Sequence, residues 1–238
     1  VAAKDAARRV LLVDDHPVVR DGLRLIIESQ DDLMVCGEAD SARAARLAIK
    51  ELHPDVVVTD LGLRQGDGME LVRDVRAQHP ELPILVLSMH DEAIYAERVL
   101  AVGANGYVMK HVAGQEFLVA VRRVLEGRIY VSDAVGSSVI QRLVTKTERA
   151  SRSPIDDLSN RELQVLQMMG KGLTTREIAS ALNLSGKTVE SHRQRLKRKL
   201  NLQTGAQLVR YAVTWIASGG RAEPNPARGE TPGEDPAT

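Results

Sequence analysis

Apolar residues follow two kinds of pattern along this chain. Through the first half, unbroken apolar runs at residues 10–13, 34–37, 56–59, 84–87 and 107–109 alternate with stretches whose apolar positions recur at helical spacing. Short runs rich in Val, Ile and Leu predict strands buried on both faces. Between them, Val18, Val19, Leu23, Ile26 and Ile27 mark one helix with Pro17 in its first turn. A second, capped by Ser41, carries Ala44, Ala45, Leu47, Ala48 and Leu52. A third is predicted over residues 69–77 after the turn Gly66-Asp67-Gly68, and a fourth through Ile94, Val99 and Leu100. A fifth runs through Phe117, Leu118, Val121, Val124 and Leu125.

This alternation predicts a doubly wound, flavodoxin-like parallel sheet of five strands in the order 2-1-3-4-5, covered by helices on both faces. In such folds the functional crevice lies at the carboxyl ends of the strands. The polar residues that end the predicted strands are Asp14 and Asp15, Asp60, Ser88 and Lys110. Four of five strands thus bring three acids, a hydroxyl and an ammonium to one small edge.

The second half changes period. Ser159 and Glu162 form a capping box flanked by Leu158 and Leu163 as a hydrophobic staple, opening a helix whose stripe is Leu163, Leu166 and Met169 and which Gly170 and Gly172 end. Thr174 to Glu177 repeats the capping pattern before Ile178, Ala179 and Leu182. Ser185 caps a third helix lined by Val189, Leu196 and Leu200. Thr204 to Gln207 opens a fourth through Leu208, Val209, Ala212, Val213 and Ile216. The middle pair, joined by a tight turn at Asn183-Leu184-Ser185, has helix-turn-helix spacing.

At 238 residues the chain is long enough for two domains. The boundaries read as 8–127 for the α/β domain, 128–154 for a linker, 155–218 for the helical domain and 219–238 for a disordered Gly-, Pro- and Glu-rich tail. Within the linker, Ser132 opens a short apolar pattern through Val139, Ile140, Leu143 and Val144. One cysteine, Cys36, excludes an intrachain disulfide and reads as a small buried hydrophobe. With no signal-peptide pattern and no apolar run near the ~20 residues of a membrane span, the expectation is a cytoplasmic protein. Net charge is zero, yet residues 187–199 hold six basic residues against Glu190 alone, a local +5.

Clustered carboxylates repel one another unless a cation sits among them, and an all-oxygen set suits Mg²⁺. Lysine and a serine hydroxyl suit the remaining oxygens of a phosphoryl group, and a carboxylate between them can be its acceptor. The stretches Leu12-Val13-Asp14-Asp15-His16-Pro17, Asp60-Leu61-Gly62-Leu63 with Asp67-Gly68, Leu87-Ser88-Met89-His90 and Gly106-Tyr107-Val108-Met109-Lys110 resemble bacterial response-regulator receiver domains. The resemblance implies that Asp60 accepts phosphate from a sensor histidine kinase. Asp15, Asp60 and the carbonyl of Gly62 would ligate Mg²⁺, with Asp14 acting through water. Ser88 and Tyr107 would form the switch pair, and Lys110 the phosphate partner. Arg64 stands where receivers of this subgroup usually have proline.

On the third C-terminal helix, Lys187, Glu190, Ser191, Gln194, Arg195 and Arg198 face outward, as a major-groove reader requires. Leu158-Ser159, Arg161-Glu162, Glu177-Ile178-Ala179, Leu184-Ser185, Thr188-Val189, His192 and Lys199-Leu200 resemble the LuxR-type helix-turn-helix of NarL/FixJ regulators. By that resemblance Lys187 and Thr188 touch phosphate, while Glu190, Ser191 and Gln194 face bases. His192 reads as a packing residue. Together these features predict a transcription regulator that binds promoter DNA as a homodimer once Asp60 is phosphorylated. A receiver that acts as an interaction module without phosphorylation is the alternative. Two enzyme classes are excluded: a dehalogenase-type phosphatase needs an acid where Gly62 stands, and a P-loop at Gly186-Lys187-Thr188 lacks its first glycine, Ala181 standing there.

Overall fold

The computed structural model describes residues 7–63, 67–112, 114–137, 154–155 and 157–218. The chain divides into two compact units, up to residue 151 and from residue 152 onward. Arg64, the predicted pattern through Val139–Val144 and the tail from residue 219 lie outside the described residues.

In the first unit, β1 (Arg8–Val13), β2 (Leu33–Ala39), β3 (Val56–Thr59), β4 (Ile84–Ser88) and β5 (Gly106–Met109) alternate with α1 (Pro17–Glu28), α2 (Ala42–Leu52), α3 (Gly68–Gln78), α4 (Glu92–Ala101) and α5 (Gly114–Leu125). The sheet is wholly parallel with order β2-β1-β3-β4-β5. β1 and β3 are therefore neighbours, with Val13 paired to Thr59, and the next residues, Asp14 and Asp60, emerge side by side. The central strands are buried along their length because both faces carry helices: Val10, Leu12, Val56, Val58, Leu85 and Leu87 pack with Leu23, Ile27, Phe117, Val121 and Val124 on one of them. Not every apolar helix position turns inward. Val18 on α1 is 83% exposed and Leu47 on α2 is 55% exposed, so the helical stripes are narrower than their apolar residues suggest.

Residues beyond α5 join the same unit. Tyr130 forms a single bridge to Gly106 at the edge of β5, its carbonyl accepting from Tyr107 N–H at 2.9 Å. Its hydroxyl lies 3.0 Å from a Glu116 carboxylate oxygen, and Arg123 lies over its ring. One turn later, Ser132 N–H donates to Glu92 Oε1 of α4 at 2.8 Å, and residues 133–137 are helical. The first residues after α5 are thus fixed to β5 and α4.

The second unit comprises α6 (Asn160–Gly170), α7 (Thr175–Ala181), α8 (Gly186–Lys199) and α9 (Gly205–Ala217). Three capping boxes are complete in both halves: Ser159 with Glu162, Thr174 with Glu177, and Thr204 with Gln207. Ser185 caps α8 through Thr188 N–H. Glu162 is buried, which alone would raise its pKa. Lys199 Nζ at 2.7 Å and the backbone N–H of Ser159 outweigh that and hold it below the usual carboxylate range. Leu163, Leu166, Ile178, Val189, Leu196, Leu200, Leu208, Ala212 and Trp215 are buried.

The two glycines predicted to stop α6 have different roles. Gly172 has φ +83°, a terminator's conformation, but Gly170 is still helical. A Cβ on Gly170 would lie 2.5 Å from Ala212 O and 2.6 Å from Ile216 Cγ1 on α9. This glycine lets two helices approach, and backbone cannot yield as a side-chain tip can. Gly170→Val is therefore expected to destabilise the helical unit by roughly 2–3 kcal/mol, within the range for overpacking. The chain's single tryptophan, buried Trp215 on α9, reports it: the urea midpoint of its fluorescence should fall. An unchanged midpoint would mean that α6 and α9 are not in close contact at this point.

Candidate functional site

Each strand end delivers its predicted residue to the same edge. Asp60 N–H donates to Val13 O at 2.8 Å, and Asp14 N–H to Ala39 O at 3.0 Å, so both acids leave the sheet on its last rungs of backbone pairing. Lys110 follows β5, its N–H on Ser88 O at 2.8 Å. The ammonium then reaches across: Lys110 Nζ lies 2.6 Å from Asp14 Oδ2 and 2.7 Å from Asp60 Oδ2. Burial would lower the Lys110 pKa, but the two carboxylates more than reverse this and raise it. Gly62 and Gly68 pack closely against Asp60. A Cβ on Gly68 would sit 2.4 Å from Asp60 O, and one on Gly62 3.3 Å from Asp60 Oδ2.

Sequence reasoning missed the part played by His16. Its Nδ1 lies 3.1 Å from Asp14 Oδ1 and 3.0 Å from Asp15 Oδ1, and the His16 backbone N–H donates to Asp14 Oδ1 at 2.9 Å. One ligand atom from each of Asp14, Asp15, His16 and Asp60 lies within 4.8 Å of the others. The three carboxylates are buried, while the imidazole is half exposed. Among the described residues, three buried acids gather around the Lys110 ammonium, and the carboxylate donors are hard oxygens, so the residues present fit Mg²⁺. The signal for His16 is its place directly after the paired acids, at the start of α1.

Ser88 is fully buried and its Oγ accepts from His90 N–H at 3.3 Å. Tyr107 is buried too, its hydroxyl donating to His90 O at 2.7 Å, and burial pushes its pKa well up. The two residues meet at the β4–α4 loop, where the His90 ring stacks on Tyr95 with 4.7 Å between centroids.

On the helical unit, Lys187, Glu190, Ser191, Gln194, Arg195 and Arg198 are exposed along α8, opposite the buried Val189, Leu196 and Leu200. Thr188 is only half exposed and shares a 2.8 Å contact with the capping Ser185. The local charge of +5 overstates the available stripe. Arg193 donates to Glu190 Oε2 and Lys199 to Glu162 Oε2, so both are committed to carboxylates. Ser191, Gln194, Arg195 and Arg198 share one groove with Lys197 of the basic stripe and with Asn201 and Gln203, two residues the sequence did not single out. His192 is half-buried with its pKa lowered by that burial, in keeping with a packing role. Among the described residues no helix is long and apolar enough to cross a membrane.

Comparison with known proteins assigns both units. Residues 10–122 match the model of the response regulator receiver domain, and residues 156–212 that of the bacterial regulatory proteins of the luxR family. The oxygen regulatory protein NreC of Staphylococcus carnosus is 34% identical over 209 residues, 86% of this chain and 96% of that protein. Among solved structures, RcsB of Salmonella enterica serovar Typhimurium, bound to promoter P1flhDC with the phosphomimetic BeF3−, aligns at a TM-score of 0.56 and 28% identity. It covers 88% of this chain and 100% of that one. A LuxR-family two-component response regulator from Aurantimonas aligns at 0.54 and 34% identity, over 58% of this chain and 99% of that one. With an acidic strand-edge site in one unit and a helix-turn-helix in the other, the chain belongs to the NarL/FixJ family of two-component response regulators, in which a receiver is joined to a LuxR-type DNA-binding domain.

Proposed function

We propose that Asp60 is phosphorylated by a sensor histidine kinase and that the phosphorylated chain dimerises and binds promoter DNA. The observation that carries this reading is the Lys110 ammonium within 2.7 Å of both Asp14 and Asp60 at the carboxyl edge of the sheet. An Asp60 carboxylate oxygen bonds to phosphorus as the kinase's P–N bond breaks, and the imidazole leaves. Lys110 is then at hand to pair with the phosphoryl oxygens. Asp15, Asp60 and the Gly62 carbonyl would hold Mg²⁺, with Asp14 acting through water; the ion supplies charge neutralisation at the transferring group.

Ser88 and Tyr107 report the new group to the rest of the molecule. Tyr107 N–H is bonded to Tyr130, and α4 holds Ser132 through Glu92, so movement at the β4–α4 loop has a hydrogen-bonded route into the segment that leaves the receiver. In the second domain, Lys187, Thr188, Arg195 and Arg198 meet phosphates, Ser191 and Gln194 face bases, and Glu190 lies beside them on the same exposed face. RcsB, to which this chain is similar along most of its length, is described as two dimers bound to two parallel DNAs.

Mass in solution and DNA affinity with and without beryllofluoride in Mg²⁺ test the whole reading. The expected result is a doubling of mass and tighter promoter binding, with two protected half-sites about 10 bp apart. Equal mass and affinity in both conditions would overturn it in favour of a receiver that serves as an interaction module.

A further inference from the structure

We infer that Glu190 reads no base itself: tied through Arg193 to Thr175, it is a positioning residue that sets the Gln194 amide to select an A·T pair in the major groove. The inference rests on the assignment of the exposed face of α8 to DNA.

The connection begins on the buried side of the helix. Arg193 shares the stripe of Val189, Leu196 and Leu200, and its side chain is only 25% exposed. Its guanidinium therefore emerges at the seam between α7 and α8. There Nη1 donates to Thr175 Oγ1 at 2.8 Å and to Glu190 Oε2 at 3.2 Å. The other Glu190 oxygen, Oε1, accepts from Gln194 Nε2 at 3.3 Å. A continuous hydrogen-bonded relay thus runs from the first turn of α7 to the exposed face of α8.

Two consequences follow from its chemistry. A bare carboxylate on this face would repel a phosphate backbone, and pairing with Arg193 removes that penalty. A glutamine amide on an open helix face can turn over, so it presents a donor or an acceptor with little preference. Here one N–H is committed to Glu190, which fixes the amide's sense. Gln194 Oε1 and the second N–H remain, one acceptor and one donor side by side. Adenine, with its N6 amino donor and N7 acceptor, matches that pair; guanine offers two acceptors in the same place, and cytosine only a donor.

Selection from a random duplex library by the full-length protein with beryllofluoride separates the possibilities. The wild type is expected to prefer adenine at one base pair per half-site by on the order of tenfold, and Gln194→Ala to lose that preference. Glu190→Ala should lose the same preference at the same pair while its affinity for unrelated duplexes holds or rises, since a negative charge has left the face. Thr175→Val, which changes no charge and lies on α7 rather than on the exposed face of α8, should weaken the preference part-way. Trp215 fluorescence midpoints equal to wild type establish that each variant is folded. Retained adenine preference in Glu190→Ala, or loss instead of a cytosine preference at a neighbouring pair, would overturn the inference and make Glu190 a direct reader. An unaltered profile in Thr175→Val would remove the anchor. If Gln194→Ala leaves every preference intact, the assignment of α8 to the bases fails with it.

Discussion

Asp60→Asn is expected to abolish phosphoryl uptake from a small acyl phosphate in Mg²⁺ and to leave the receiver folded. The substitution keeps the shape of the side chain and removes its nucleophilic oxygen pair. Deleting one partner of a buried ion pair usually costs several kcal/mol because the other charge is stranded. That cost is avoided here, since Lys110 Nζ is also 2.6 Å from Asp14 Oδ2 and keeps a carboxylate. One buried negative charge fewer also relieves repulsion among Asp14, Asp15 and Asp60. Intact-protein mass spectrometry should show the phosphoryl adduct in the wild type and none in the variant, at matched denaturation midpoints. Undiminished labelling would move the acceptor to Asp14 or Asp15. Loss of labelling together with a collapsed midpoint would reassign Asp60 to a structural role.

That prediction draws on the part of the molecule most legible in the sequence. Strands buried on both faces appear as unbroken apolar runs, and the residue that ends each one is fixed by local order. Asp14, Asp60, Ser88 and Lys110 could therefore be assigned to one edge from pattern alone. Capping boxes were equally readable because they close within four residues, and all three formed as expected.

Contacts that depend on neighbours far along the chain were not readable. The double reach of Lys110 follows from β1 lying beside β3, and no spacing in the sequence encodes a distance between Asp14 and Asp60. Tyr130 joins β5 through one residue, too short a strand to leave a period. Gly170 sits where a stop signal is expected, and only the position of α9 reveals that it makes room for a helix. Arg193 was counted in a basic stripe because charge is visible in a sequence and its direction is not. Val18 and Leu47 err the other way, as apolar residues left on the surface.

Charge reversal at Arg195 and Arg198 is expected to weaken binding to every duplex by about a hundredfold or more, with little change in base preference. Both are exposed on α8 and border the groove that also takes in Lys197, Asn201 and Gln203. With Arg193 and Lys199 held by internal carboxylates, they make up half of the four cations of this helix left for phosphate, alongside Lys187 and Lys197. Each phosphate contact contributes about −0.9 to the slope of log affinity against log salt, so Arg195→Glu with Arg198→Glu should flatten that slope by roughly 2. The new acids add repulsion, which takes the loss beyond that of two neutral substitutions. Reversing Arg43 and Arg73, both exposed on the receiver, alters net charge by the same amount and serves as the control. That control should bind as the wild type does. Equal losses in the two double variants would make the effect one of overall charge, and an unchanged slope in Arg195→Glu with Arg198→Glu would take this face of α8 off the DNA backbone.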